Sequence, residues 1–387
     1  MVIKRRNICS ERKKCNLDES REKKSEATVT KKVNLQIEKE KFVGHNDSKL
    51  DFGKLVEKNS GRLFNINLLE QKILQYIIGQ DEQVRQIITA IYRSIIFESI
   101  KSNILVVGSS GTGKTETIQQ IAKNLDIPYT IEDATKYTKE GYYGSDVEAM
   151  IYNLIENAGN DIKKAQKGII VIDEIDKKVS EDKNDVSGVE VLKSLLKIIE
   201  GTNIKVPDMD NPFSEDITFS TKNIIIIFSG AFDGLDKIRD KRLNKNQIGF
   251  CCDGAKLEKE SEKFTKDDLD KYGMPKEFIG RIDTIVEMNN LTKEDLVSIL
   301  KSSRLSIFSR YKKELKALGV HLQYNKELFE QIAGESLKLN TGARELSNTV
   351  NYMYEKILYE VFKNPGLFTK CALELDIVKD NTKYKLS

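Results

Sequence analysis

The chain lacks any apolar run approaching the roughly 18 residues that a membrane-spanning helix needs. Its first residues, Met1 to Ser10, lead into more charge rather than an apolar stretch, so no secretory leader is read there. Both absences point to a soluble chain, and a cytoplasmic location is the expectation. Cysteine is sparse and odd in number: Cys9, Cys15, Cys251, Cys252 and Cys371 stand at irregular spacing, which fits reduced thiols better than a disulfide framework. Histidine is scarcer still. Neither His45 nor His321 has ligand-like neighbours, and Cys9 and Cys15 have no second pair, so zinc is not expected. A net charge of +3 is an ordinary balance for a soluble enzyme, and 387 residues suffice for two or three domains with real cores.

Basic charge is concentrated at the start. Lys4-Arg5-Arg6, Arg12-Lys13-Lys14, Lys23-Lys24 and Lys31-Lys32 recur among polar residues with few apolar ones, so residues 1–60 read as a disordered basic tail. Such a tail can touch nucleic acid or an acidic partner. A solvated leader is the simpler reading, and neither nucleic acid nor membrane is expected as a partner.

Periodic structure begins near Asn67 with a helical pattern, Leu68, Leu69, Ile73, Leu74, Ile77, then Val84, Ile87, Ile88 and Ile91, broken at Gly79. From Asn103 to Met288 short apolar runs, among them Ile104 to Val107, Ile169 to Ile172 and Ile224 to Phe228, alternate with helical stretches. These predict strands buried on both faces of a mainly parallel sheet. After Met288 the pattern turns helical. Thr292 and Asp295 predict a capping box ahead of Leu296, Ile299 and Leu300. Leu346, Val350, Tyr354, Ile357 and Val361 predict a further helix stopped by Pro365-Gly366, and an alternating strand follows at Cys371, Leu373, Leu375 and Ile377. The expected organisation is a tail over 1–60, an α/β domain over 61–288 and a smaller, mostly helical domain with a short sheet over 289–387.

The chemistry gathers in the sheet region. Gly108-Ser109-Ser110-Gly111-Thr112-Gly113-Lys114-Thr115 follows a strand and opens a helix, the context in which a P-loop works. Its backbone N–H groups are expected to wrap phosphates, with Lys114 on the outer ones and the Thr115 hydroxyl on Mg²⁺. The strand at Ile169 ends in Asp173-Glu174. An acidic pair capping an apolar strand is costly unless it faces a metal or a cavity, so Asp173 is read as part of the Mg²⁺ shell and Glu174 as the group that polarises a water. Ser229, at the end of the third strand, is the candidate sensor of what binds there.

These motifs do not stand alone. Tyr76-Ile77-Ile78-Gly79-Gln80, Gly141-Tyr142-Tyr143-Gly144-Ser145-Asp146-Val147-Glu148, Ile172-Asp173-Glu174-Ile175-Asp176-Lys177, Asp185-Val186-Ser187-Gly188, Gly230-Ala231-Phe232-Asp233-Gly234-Leu235, Ile248-Gly249-Phe250, Glu277-Phe278-Ile279-Gly280-Arg281 and Thr341-Gly342-Ala343-Arg344 follow one another along the chain. Together with the P-loop this series resembles the ClpX family of AAA+ unfoldases, from about Asn67 onward. The related HslU family carries a long insertion before its Asp-Glu strand, and here only a short stretch separates Gly144 from Asp173.

The resemblance implies an AAA+ P-loop ATPase domain followed by a lid domain, with ATP and Mg²⁺ as ligands. It implies that Ile78 and Gly79 meet the adenine, that Arg281 is an arginine finger for a neighbouring subunit, and that Arg344 senses the γ-phosphate and closes the lid. A finger acting between subunits implies a self-assembled hexameric ring. Tyr142 and Tyr143 would line its pore with Asp185, Val186 and Ser187 to hold unfolded or tagged protein substrates. Ile248-Gly249-Phe250 would dock a ClpP-like peptidase, its apolar side chains having no local core between two polar stretches.

Three departures qualify that picture. The family's four-cysteine zinc domain does not precede the motor, which puts its usual adaptors in doubt. Pro275-Lys276 stands where the family has Ile-Pro before the finger. The basic loop expected at the pore entrance is replaced after Val206-Pro207 by Asp208-Met209-Asp210-Asn211-Pro212-Phe213-Ser214-Glu215-Asp216, and Asn184 replaces an arginine. An acidic entrance is expected to disfavour carboxylate-ended tags. A remodelling chaperone that uses no peptidase stays open as the alternative.

Overall fold

After Asn103 the run to Val107 has no polar residue to turn toward water, and it folds as a strand buried along its whole length. The computed structural model describes residues 66–97, 101–137, 145–179, 186–206, 216–246, 262–301, 303, 306–324, 327–338, 342–376 and 381–386. All of them fall within one unit, Lys54–Ser387. Its first part carries strands β1 (Asn103–Val107), β2 (Tyr129–Asp133), β3 (Ile169–Asp173), β4 (Asn203–Val206), β5 (Ile217–Ser220), β6 (Ile225–Gly230) and β7 (Thr284–Glu287). Five of these form one sheet in the order β2-β3-β6-β1-β7, every pairing parallel. β4 and β5 pair apart from it as an antiparallel ribbon.

Because successive side chains of a strand point to opposite faces, the apolar runs divide cleanly between two cores. Leu105, Val107, Ile170, Ile172, Ile226 and Phe228 enter one core. There they meet Met150 and Leu154 of helix α4 (Ser145–Asn157) and Val191, Leu195 and Ile198 of α6 (Val186–Glu200), with the short α5 (Ile162–Ala165) between them in sequence. Ile104, Val106, Ile169, Val171, Ile225 and Ile227 enter the other. Its helices are α1 (Ile66–Ile73), α2 (Asp81–Ile96) and α3 (Lys114–Asn124), contributing among others Ile73, Ile87, Ile91, Ile118 and Ile121. Gly79, at φ +76°, makes the turn between α1 and α2. Three more helices, α7 (Leu235–Asn246), α8 (Lys266–Tyr272) and α9 (Lys276–Ile279), lead into β7.

A third core begins at Leu291 and shares no residue with the other two. It is built by α10 (Lys293–Lys301), α11 (Ile307–Ala317), α12 (Glu327–Lys338) and α13 (Ala343–Lys363), with β8 (His321–Tyr324), β9 (Lys370–Asp376) and β10 (Asn381–Leu386) as its short sheet. The Thr292 hydroxyl accepts the Asp295 N–H and the Asp295 carboxylate accepts the Thr292 N–H, the reciprocal pair expected at the start of α10. Leu346, Val350, Tyr354, Ile357 and Val361 form the buried face of α13, which ends at Lys363 just before Pro365. Inside this core Tyr311 and Tyr354 stack at 3.6 Å, and the Tyr354 hydroxyl donates to Glu314.

The fold is therefore α/β, a parallel sheet between helices followed by a smaller helical region with a short sheet. Among the described residues no helix is long and apolar enough to cross a membrane, and no cluster of His, Cys, Asp and Glu suited to a metal ion occurs.

Phe228 is fully buried and meets Phe278 edge to face at 4.7 Å. Phe228→Ala should lower unfolding stability by about 3–5 kcal/mol. Tyr359→Ala on the outer side of α13, where the ring is 66% exposed, should change it by less than about 0.5 kcal/mol. Urea unfolding followed by circular dichroism checks both, and equal losses would contradict the core assignment.

Candidate active site

The parallel sheet brings its carboxyl ends to one edge. Register places Ile172 beside Phe228 and Val107 beside both Gly230 and Glu287. One step further, Asp173 comes level with Ser229. Its carboxylate is the meeting point of three segments: Oδ2 accepts the Thr115 hydroxyl at 2.7 Å, while Oδ1 accepts the Ser229 hydroxyl at 2.6 Å and the Glu174 N–H at 2.9 Å. Ser229 itself is fully buried.

Glu174 takes a left-handed backbone, φ 56° and ψ 33°, uncommon for a residue with a side chain. The kink ends β3 and starts a short 3₁₀ turn over Ile175–Lys178 in which Ile175 and Asp176 are buried. Glu174 is left exposed at the sheet edge beside Asp173.

Between β1 and α3 the P-loop turns on two left-handed glycines, Gly111 and Gly113. A Cβ at Gly113 would meet nothing within 4 Å, so the ground over the first turn of α3 is open. Lys114 donates to the Gly108 carbonyl at 2.6 Å and the Ser109 carbonyl at 3.0 Å. Burial pushes its ammonium below the ordinary lysine range, against the pull of Asp173 and Asp176. The charge of Arg344 presses it in the same downward direction. Thr112 Oγ1 donates to the Ser109 carbonyl, and Ser110 is exposed.

The smaller helical region reaches this loop directly. Gly342, at φ 56°, lies so close that a Cβ there would sit 2.8 Å from the Gly111 carbonyl oxygen. The neighbouring Ala343 N–H, in the first turn of α13, donates to that oxygen at 3.1 Å. Arg344 follows, exposed. Ile78 is half-buried, and Gly79 rests against the Asp295 carboxylate of the α10 cap.

Arg281 is the predicted site residue that does not join this cluster. Asn103, the first residue of β1, holds the Arg281 carbonyl through its side-chain amide at 2.9 Å. Arg281 therefore lies at the amino end of the sheet, opposite the P-loop. Its guanidinium donates to the Glu277 carbonyl and pairs with Glu200, both side chains partly exposed. Val186 and Ser187 open α6. The remaining predicted residues, Tyr142, Tyr143, Asp185, Ile248, Gly249 and Phe250, lie outside the described residues, as do the tail over 1–60, the acidic stretch over 208–215 and Ile377.

Other side chains, to which the sequence motifs assign no role, take part at the site. Asp176 is buried; it accepts the Phe232 N–H at 3.2 Å on one oxygen and has no partner for the other, which packs against Gly230. It thus braces the turn after β6, where Phe232 is itself left-handed at φ 53°. Gln80 and Asn289 join the Gly79 turn to the P-loop and to the chain leaving β7. The sequence signals for Gln80 are its place beside the predicted glycine break and at the end of the Tyr76-Ile77-Ile78-Gly79-Gln80 segment.

A hydroxyl and a carboxylate in contact beside an open glycine-rich helix start form a set able to hold a phosphate chain and its cation. Comparison with known proteins agrees. The profile of the AAA domain family (Cdc48 subfamily) matches residues 99–285. The ATP-dependent Clp protease ATP-binding subunit ClpX of Treponema denticola is 38% identical over 329 residues, covering 78% of this chain and 78% of that protein. The subunits of the same name from Borrelia duttonii and Borrelia recurrentis are each 36% identical over 315 residues, covering 76% of this chain and 73% of theirs. With its parallel sheet, its P-loop and α13 against that loop, the chain belongs to the AAA+ ATPases, in the family of the ClpX ATP-binding subunits.

Proposed function

We propose that the chain is an ATP-driven protein unfoldase and translocase that works as a hexameric ring, with residues 61–288 as its motor, 289–387 as its lid and a ClpP-like peptidase as its partner. The observation that carries the reading is the convergence of Thr115, Ser229 and the Glu174 N–H on one Asp173 carboxylate beside the P-loop. Thr115 and Asp173 fit a Mg²⁺ site, since a hydroxyl and a carboxylate already in contact are hard oxygen donors on one side of the phosphate cradle. Bound there, Mg²⁺ neutralises charge on the phosphate oxygens.

The chain's own residues divide the remaining work. N–H groups at the start of α3 orient the phosphates, and Lys114 exchanges its two loop carbonyls for the outer phosphates. Glu174 accepts the proton of the attacking water. Ser229 holds Asp173 in place, and Arg344 brings the lid onto the γ-phosphate. Ile78 and Gly79 accept the adenine.

Arg281 acts on the ATP of the next subunit. What supports this is its place at the amino end of β1, a strand of 5 residues, which spans roughly 16 Å at about 3.3 Å per residue. That separation keeps it from its own P-loop. Its ion pair with Glu200 is partly exposed and cheap to break. Tyr142 and Tyr143, with Asp185, Val186 and Ser187, grip the substrate in the pore, and Ile248-Gly249-Phe250 docks the peptidase.

Glu174→Gln should bind ATP and assemble normally, while turnover falls at least about 100-fold; near-normal turnover would remove Glu174 from the mechanism. Arg281→Ala should lower turnover by roughly 10³ to 10⁵ and keep nucleotide binding. Mixing it with Lys114→Ala subunits should restore part of the activity, because an intact finger then meets an intact P-loop. Mixed rings without any recovery would rule out action in trans. Phe250→Ala should abolish degradation of a folded reporter in the presence of a ClpP-type peptidase while unfolding by the ring continues. Degradation that persists would favour a remodelling chaperone or another docking site.

A further inference from the structure

Gln80 is fully buried, and its carboxamide uses all of its hydrogen-bonding groups on two segments far apart in sequence. Nε2 donates to the Thr112 carbonyl of the P-loop at 3.2 Å and to the Asn289 carbonyl at 2.9 Å. Oε1 accepts the Asn289 N–H at 2.9 Å. Asn289 answers with its own amide, which donates to the Gly79 carbonyl at 3.0 Å. Gln83, one turn along α2, holds the same segment through the Glu287 carbonyl and the Asn289 side chain.

Asn289 sits between the end of β7 and the start of α10, where the chain passes from the sheet to the lid. The flanking residues are tied to the end of β1 and to the P-loop: the Met288 N–H donates to the Val107 carbonyl at 2.7 Å, and the Ser109 hydroxyl donates to Asn290. Of these ties only Gln80 joins P-loop, Gly79 turn and lid connection through one side chain. A carboxamide is suited to this, having two donors and an acceptor in one plane. Glutamate would lose both donors, and an apolar residue would lose all three bonds.

We propose, resting on the ATPase reading above, that Gln80 is a positioning residue that couples the P-loop to the orientation of the lid. A lid that turns about residues 288–290 must drag Asn289, and Asn289 drags Gln80 and with it the Thr112 carbonyl, two residues before Lys114. The same tie works in reverse. A phosphate chain that reshapes the P-loop shifts the lid through Gln80, adding to any direct pull by Arg344. A buried amide with only a structural role would affect stability and leave this response intact.

The chain has no tryptophan, so Tyr352→Trp on the exposed side of α13 gives the lid a single donor for energy transfer to a methylanthraniloyl nucleotide. Transfer should differ between the diphosphate and a non-hydrolysable triphosphate in this background. Adding Gln80→Met should shrink that difference at least about threefold and lower kcat about tenfold, while KM and diphosphate affinity change less than about threefold. Asn289→Ala, at an exposed position, should move the same readouts in the same direction by less. It should add little to Gln80→Met, since both act through one network.

A Gln80→Met protein that melts earlier yet keeps the full nucleotide-dependent difference would overturn the proposal. So would a parent protein that turns over ATP with no difference in transfer, leaving the ATPase reading intact. A parent that neither binds nor hydrolyses ATP would overturn both. If Gln80→Met does not fold, Asn289→Ala decides alone: an unchanged transfer difference in that variant overturns the coupling.

Discussion

Five parallel strands covered by helices on both sides leave a charged side chain nowhere to go except the strand ends. Burial of β1, β3 and β6 is complete or nearly so along their length, and an unpaired charge placed inside would cost several kcal/mol. Polar chemistry is thereby swept to the carboxyl edge. Parallel register then brings Asp173, Ser229 and the P-loop, widely separated in sequence, to one line. The hydrophobic sorting of odd and even residues into two cores and the gathering of the site are one constraint seen from two sides.

At that edge the polar groups satisfy one another. Asp173 is surrounded by donors, Lys114 rests on carbonyls of its own loop, and the Ala343 N–H at the start of α13 donates to the Gly111 carbonyl. A phosphate on Lys114 would take the place of its loop carbonyls at little net cost, since one hydrogen bond replaces another. The left-handed Glu174 belongs to the same economy. Its backbone stores strain that the surrounding turn maintains, and the result is a carboxylate turned out of the core beside the carboxyl edge of the sheet.

The helical region from Leu291 onward has its own core and could in principle be indifferent to nucleotide. It is kept in register with the P-loop by contacts that are short and specific: Gly342 against Gly111, Asp295 against Gly79, and the Gln80–Asn289 amides. Two of these rely on glycine for close approach, which is why a side chain at Gly342 would collide with the P-loop backbone.

Much of this was legible in the amino-acid order because the signals are local. The unbroken apolar run Ile104 to Val107 is a signal of four residues, and the Thr292–Asp295 cap needs only a spacing of three. The P-loop glycines and the Asp173-Glu174 ending likewise announce themselves wherever they sit. The edge strands β2 and β7 were less visible, since partial exposure dilutes their apolar pattern. Gln80, Asn289 and Asp176 were not visible as a unit at all. An amide or a carboxylate takes its role from the backbone atoms it meets, and those lie up to 210 positions away along the chain. The sequence by itself determined which segments become buried strands and which carry phosphate chemistry, because periodicity and glycine placement act within a few residues. Only the tertiary structure decided that Arg281 lies at the far end of the sheet from its own P-loop and that one buried amide joins that loop to the connection between β7 and α10. Both depend on which distant backbone groups the parallel sheet brings within hydrogen-bonding distance.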